Sequence, residues 1–290
     1  MGYRTVIIDS PAKISTSNNY LIVRREEVTK IHFSEIHYLM VANTSVNITG
    51  VALCELAKNK IKVVFCDEKY NPYGEVTSYY GCHNSSKKLA LQLHWRQAIV
   101  SEVNTIILHK KITNQAKLLD KLGFKDRANM IYDFADEMQI DDESNREGHA
   151  AKVYFNTLFG LDFTRDYQSD INSALNYGYS ILLSCINREV VCNGCLTQLG
   201  LNHKNEYNQF NFSCDIIEPF RVIVDEYVYE HRDRVFDKDY KYELINLLNK
   251  KVFVKGHEAY LHNAISIIVK SIIDSLNNEN SNLLCLYDFK

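Results

Sequence analysis

The texture of this chain changes once, at Asn84-Ser85-Ser86, and that change constrains the fold more than any other feature. Before it, β-branched and apolar runs recur at strand length: 3–8 (YRTVII), 20–25 (YLIVRR), 28–33, 36–41 and 61–66. A polar stretch over 9–19 separates the first two runs and predicts a hairpin-like pairing of them. Val51, Leu53 and Leu56 suit one short helix over 49–58, and YNPYGEV at 70–76 reads as a turn. After the change, apolar residues recur at three- and four-residue spacing. They predict helices over 87–122, ending at Gly123, then 126–139, 144–158, 170–191, 213–233, 239–250 and 256–276. The expected class is α+β: a small N-terminal β-rich domain, 1–83, followed by a larger all-α domain, 84–290. The polar tail after Leu276 reads as loose.

Composition excludes several alternatives. Of 290 residues, 46% are hydrophobic and 24% charged, which is ample for a packed core of one or two domains. A net charge of −3 argues against a general polyanion binder, although local patches rather than the mean decide such affinity. No apolar run reaches the roughly 18 residues of a membrane span. The N-terminus lacks a signal peptide's basic-then-apolar layout, so no membrane association is expected. Eight scattered cysteines, several in apolar runs, read as reduced thiols in a cytoplasmic protein.

The chemistry gathers in 200–225, GLNHKNEYNQFNFSCDIIEPFRVIVD. Pro219 follows Glu218, and a proline in a helix-like run marks a first turn. Asp215 and Glu218 then read as an N-cap and its N3 acid. Ser144 to Glu147 fits a capping box in the same way. His203 stands in a loop-like stretch, where a histidine more often serves the surface than a ligand set. Taken together, a histidine and carboxylates from separate helices make a workable site for a divalent cation. Carboxylate oxygens suit Mg²⁺ or Mn²⁺, and an imidazole tilts the choice toward Mn²⁺. Both readings stay open at this level.

Two other features read as structural. Cys192-Asn193-Gly194-Cys195 lacks the second ligand pair of a zinc site and the βαβ context of a redox motif, so Gly194 is expected at a helix end. Basic residues at Arg96, Lys110, Lys111, Lys117, Lys121, Lys152, Arg165, Arg188 and Arg221 read first as solvated faces and second as a weak phosphate-contacting surface. Tyr79-Tyr80 sit at the junction, where tyrosine could stack on bases or simply pack.

Three blocks, NREGHAAKVYFNTLFG, FTRDYQSDINSALNYGYSILLS and REVVCNGCLTQLGLNHKNEYNQFNFSCDIIEPFR, resemble the CRISPR-associated spacer-acquisition integrase family, CRISPR-associated protein one. With RTVII…KIS…NNYLIV at the N-terminus, the resemblance is strongest to the type II-A branch and spans essentially the whole chain. The family often carries a proline after EPFR, where Val222 stands here. The resemblance implies a metal site in the helical domain with ligands Glu147 in REGHAA, His203 in GLNH and Glu218 in DIIEPFR. It makes Asp215 a supporting or capping residue, and Arg221 and Lys152 candidates for contact with DNA. It further implies Mg²⁺- or Mn²⁺-dependent strand transfer, in which the 3′-hydroxyl of a protospacer attacks the leader–repeat phosphodiester. The implied partners are double-stranded DNA, a second copy of the chain through the β-rich domain, the small CRISPR-associated protein two and other type II-A adaptation proteins. The alternative functions are a non-sequence-specific metal-dependent endonuclease on branched DNA and a non-catalytic scaffold.

Overall fold

The computed structural model describes residues 4–76, 78 and 82–290; Tyr79 and Tyr80 lie outside them. Its first part contains β1 (Arg4–Ile8), β2 (Lys13–Ser17), β3 (Tyr20–Arg24), β4 (Val28–His32), β5 (Ile36–Val41), β6 (Asn47–Ile48), α1 (Gly50–Lys58), β7 (Lys62–Cys66) and β8 (Pro72–Val76). These strands form two four-stranded sheets, ordered β1-β5-β7-β8 and β4-β3-β2-β6. The expected pairing of 3–8 with 20–25 does not occur. β1 pairs with β5 in parallel, and β3 takes the antiparallel partner β2 from inside the polar stretch. β2 escaped notice because Ile14 is its single buried residue. Its hairpin signal was the loop, where Asn18 and Asn19 both have positive φ, as a two-residue type I′ turn demands. Of the 70–76 segment read as a turn, Tyr70 and Asn71 belong to the turn after β7, and the remainder is β8, antiparallel to β7.

β5 explains how the two halves join. All six of its residues are buried, because both of its faces are covered. Leu39 and Val41 face the core between the sheets, with Ile14, Leu21 and Val63. Tyr38 and Met40 alternate to the other side and join the helical core.

The second part is helical: α2 (Ser85–Leu93), α3 (Gln97–Lys121), α4 (Lys125–Asp136), α5 (Arg146–Phe159), α6 (Asp170–Cys192), α7 (Asn211–Ile217), α8 (Arg221–Glu230), α9 (Lys238–Asn246) and α10 (Leu261–Asn278). The molecule is thus a β-rich region followed by a helical domain, as the α+β reading expected. It differs in three details. The predicted 87–122 helix breaks at His94–Arg96, which turns Trp95 onto Phe212. The domain is not all-α, because β9 (Lys251–Val254) and β10 (His257–Tyr260) form a hairpin. Val252 and Val254 alternate inward there, and Lys255-Gly256 supplies both positive-φ turn residues. The tail is not loose: Tyr287 and Phe289 are buried against the helical core.

Candidate functional site

Four segments meet around Glu218. α7 runs into a tightened 3-10 turn over Glu218–Phe220, with Pro219 in its first turn, and α8 continues from Arg221. Proline lacks the N–H that an ordinary helical turn would use, so the run tightens there instead of ending. Glu218, at the start of that turn, is only 4% exposed. Asp215 lies inside α7 and Glu218 follows its last residue, so the pair is not the N-cap and N3 acid of the capping reading.

Asp215 organises the loop before it. Its carboxylate accepts the backbone N–H groups of Leu201, Asn202 and His203. The Nδ1–H of His203 donates to the same carboxylate at 2.6 Å. This loop packs so closely that a Cβ on Gly200 would lie 2.4 Å from the His203 carbonyl oxygen. The bond from Asp215 raises the His203 pKa above its ordinary value, and burial only partly opposes it. Because Nδ1 is committed, Nε2 is the nitrogen left for a ligand, the arrangement found for most metal-bound histidines.

Glu147 stands in the first turn of α5, and the capping box is not formed. Asp142 accepts the backbone N–H groups of Arg146 and Glu147, at 2.7 and 2.9 Å. The Ser144 hydroxyl has no partner. Freed from capping, the Glu147 side chain meets Lys111 of α3, with Nζ 2.5 Å from Oε1. The same ammonium lies 2.5 Å from Glu218 Oε2, at an angle outside hydrogen-bond geometry, so that oxygen is buried without a directed donor. Arg221 holds the other oxygen, Oε1, through Nε at 3.1 Å and Nη2 at 3.0 Å. Burial opposes ionisation of Glu218, but the Arg221 and Lys111 charges override it and draw its pKa down to about 2.

Behind Arg221 lies a polar network that the sequence reading missed. The guanidinium stacks 4.5 Å from the Tyr179 ring. Tyr179 and Tyr154 donate their hydroxyls to the two oxygens of fully buried Asp225. Burial pushes the Asp225 carboxyl up to about 6, and the two tyrosine bonds hold it from rising further. One acid thus ties together α5, α6 and α8, the helices that frame Glu147 and Arg221. Its signal was a lone aspartate in the apolar run VIVDEYV, and Tyr154 is two turns after Glu147 on the same face.

The structure brings Glu147 and Glu218 together through Lys111, and links His203 to Asp215. Lys152 is exposed on α5 and makes no ion pair with either glutamate among the described residues. Most of the basic residues that suggested a phosphate surface are engaged within the molecule. Lys110 and Lys117 bind Asp288, Lys121 binds Glu226 and Arg96 binds Glu279. No group of three or more His, Cys, Asp or Glu side chains among the described residues is arranged at metal-binding spacing. The Lys111 ammonium occupies the space between the two glutamates. Gly194 ends α6 at a φ of +82°, and burial pushes the Cys195 thiol up to about 12, far from a reactive thiolate.

Residues 5–255 match the protein family described as CRISPR associated protein Cas1. The chain is 33% identical over 226 residues to the CRISPR-associated endonuclease Cas1 of Neisseria meningitidis serogroup C, covering 78% of this chain and 74% of that protein. It is 24% identical over 238 residues to a CRISPR-associated endonuclease Cas1 of Pyrobaculum aerophilum, covering 76% and 79%. Among solved structures, a CAS1 protein from Thermotoga maritima superposes with a TM-score of 0.76 at 14% identity, covering 99% of this chain and all of that one. A casposase bound to integration product superposes at 0.75 with 18% identity, covering 96% and 92%. A Cas6-RT-Cas1–Cas2 complex superposes at 0.73 with 21% identity, covering 99% of this chain and 36% of that chain. These likenesses support the fold.

Proposed function

This chain belongs to the Cas1 family of CRISPR-associated proteins, and from that premise we propose that it is a metal-dependent DNA integrase of CRISPR adaptation, of the type II-A branch. Its substrate is double-stranded DNA, a protospacer and a leader–repeat target. The protospacer 3′-hydroxyl attacks the junction phosphodiester, forming one P–O bond as the leader strand's 3′-oxygen leaves. The observation that carries this reading is the pairing of Glu147 and Glu218 from separate helices around a cation position, with Glu218 Oε2 buried and lacking a directed donor. A second support is the fixed tautomer of His203, whose Nε2 is the open nitrogen.

Glu147, Glu218 and His203 Nε2 would hold Mg²⁺ or Mn²⁺, two carboxylates and an imidazole being a fitting donor set. Bound there, a divalent cation would supply Lewis acidity toward the phosphoryl group and the attacking hydroxyl. The protein's part is positioning. Arg221 fixes one oxygen of Glu218 so that the other faces the site, and Asp215 aims His203. A 1 Å error in such an arrangement costs about 10²-fold. Exposed Lys152 is a candidate for contact with the DNA backbone.

The chain would work as a homodimer joined through its β-rich region, with the small CRISPR-associated protein two and further type II-A adaptation proteins. Solved structures described as a Cas6-RT-Cas1–Cas2 complex and as a TtCas1-DNA complex support the small partner and DNA. A prokaryotic cytoplasm is the compartment this function requires, and no helix among the described residues is long and apolar enough to cross a membrane.

Strand transfer in vitro tests the proposal, with a 3′-hydroxyl donor duplex, a leader–repeat target, the small partner and Mn²⁺. Wild type should join the DNAs and lose activity in EDTA, and Glu147→Ala, His203→Ala and Glu218→Ala should each fail while remaining folded. Hydrolysis without joining would replace the integrase with an endonuclease that uses water. Full activity in the variants would remove these residues from the chemistry.

A further inference from the structure

Lys111 has a place that neither the capping reading nor the ligand set explains. It projects from α3, an element that carries none of the proposed ligands, and its side chain is 12% exposed. Its ammonium lies 2.5 Å from an oxygen of each glutamate, so those oxygens are no further apart than twice that distance. A divalent cation bound to oxygens about 2.1 Å away needs the same gap. Two cations cannot share it, because their repulsion at such a distance in a poorly solvated site is severe.

The ammonium also fits imperfectly. It bonds properly to Glu147 Oε1 but leaves Glu218 Oε2 without a directed donor. A metal ion has no such directional requirement and carries twice the charge. The lysine stem has four carbons and can swing its head group away.

We infer that Lys111 is the resident counter-ion of this centre: its ammonium occupies the cation position between Glu147 and Glu218 and gives it up when the divalent cation enters. This inference rests on the metal-binding reading above. In the metal-free protein Lys111 keeps the half-buried Glu147 carboxylate and the undirected oxygen of buried Glu218 from facing each other with no cation between them. When metal enters, the lysine is released at the rim of a site proposed to receive DNA phosphates, so metal entry would convert an internal ion pair into a substrate-facing charge.

Two measurements test it, neither of them activity. In the first, full-length wild type is reductively methylated in Mg²⁺ or in EDTA, and the modified lysines are mapped by mass spectrometry. Lys111 should be labelled at least tenfold more in Mg²⁺, while neighbouring Lys110, which binds Asp288 elsewhere, stays unchanged between the two. In the second, Mn²⁺ binding is followed by the loss of the free-ion electron paramagnetic resonance signal. Lys111→Met should bind Mn²⁺ about tenfold more tightly than wild type, and Glu218→Gln should bind far more weakly. Lys111→Gln is the second variant if the methionine protein does not fold. If wild type binds Mn²⁺ through Glu218 but Lys111 labelling and affinity are unmoved, the counter-ion inference is overturned and the metal reading stands. If wild type binds no Mn²⁺, the metal reading falls and this inference with it.

Discussion

Two buried glutamates two turns apart, Glu218 and Glu226, meet lysines of the same helix with opposite outcomes. At Glu226, Lys121 bonds one carboxylate oxygen at 2.7 Å and Lys250 the other at 2.6 Å. Two positive charges surround one negative charge, and both oxygens have a directed donor. At Glu218 the ratio is reversed on the side facing α5: Glu147 and Glu218 share Lys111, and an oxygen of Glu218 lacks a directed donor. Burial alone therefore does not separate a structural acid from a ligand-like one. The local count of charges and directed donors does. The Glu226 cluster is closed, with two cations on one acid, whereas in the Glu218 cluster Lys111 and Arg221 serve two acids and Glu218 Oε2 lacks a directed donor.

The largest effect should separate these clusters by function. Glu218→Ala should reduce strand transfer by about 10³-fold, the scale expected on removing a group aimed at developing charge. Glu226→Ala should leave the rate within about threefold. It should cost about 1 kcal/mol of stability, because the lysines it abandons are half exposed and can hydrate. Single-turnover rates beside urea unfolding check both. Equal losses of activity would abolish the distinction.

The contrast also shows what could be read in the chain. The change of texture at Asn84 foretold strands before helices, because side-chain period survives in any chain that buries one face. Glu147, His203 and Glu218 could be named through blocks of resemblance. Their physical roles could not be read, since SxxE and DxxE spacings satisfy a capping box as readily as a ligand set. What excluded capping was other partners: Asp142, four and five residues upstream, took the α5 amides, and Asp215 took the amides of a loop more than ten residues away. Lys111 was one basic residue among nine until α3 brought it 36 residues along the chain to Glu147. The β9–β10 hairpin was missed because 251–255 falls between two predicted helices and 257–260 falls inside the helix over 256–276; the Lys255-Gly256 turn decides the matter.

A smaller effect concerns the acid between the clusters. Asp225 precedes Glu226 in sequence but serves Glu218, through Tyr179 and Arg221. Its carboxyl sits at about 6 against an ordinary 3.8. The folded state therefore keeps a proton that the unfolded chain has released. That contribution to stability is fully present below about pH 4 and is lost as pH rises through 6. At 1.36 kcal/mol per pKa unit, the swing is about 3 kcal/mol. Asp225→Asn removes the titration, so its melting temperature should gain on wild type between pH 4 and pH 7 in EDTA. A constant offset across that range would show that Asp225 is ionised throughout, which would add a third permanent anion beside Glu147 and Glu218 and sharpen the contrast in charge count.

The smallest effect tests whether α3 keeps the two clusters independent. Asn114 lies between Lys111 and Lys121 on that helix and is completely buried. Its amide donates to the carbonyls of Pro219 and Tyr287, at 2.9 and 3.1 Å, and its carbonyl accepts the N–H of Phe289. The tail is thereby fastened to the turn that carries Glu218, while Lys110 and Lys117 hold Asp288 beside it. Asn114→Ala strands three buried backbone groups, each costing about 1–3 kcal/mol if it stays dry. The tail is a chain end and can lift to let water in, so the net cost should be about 2 kcal/mol. Hydrogen exchange should then speed up at Tyr287 and Phe289 and at the Pro219 turn, with the Glu226 segment of α8 still protected. If protection is lost along all of α8, the two clusters form one cooperative unit, and their different charge balance must be maintained by the whole helix pair rather than by each cluster alone.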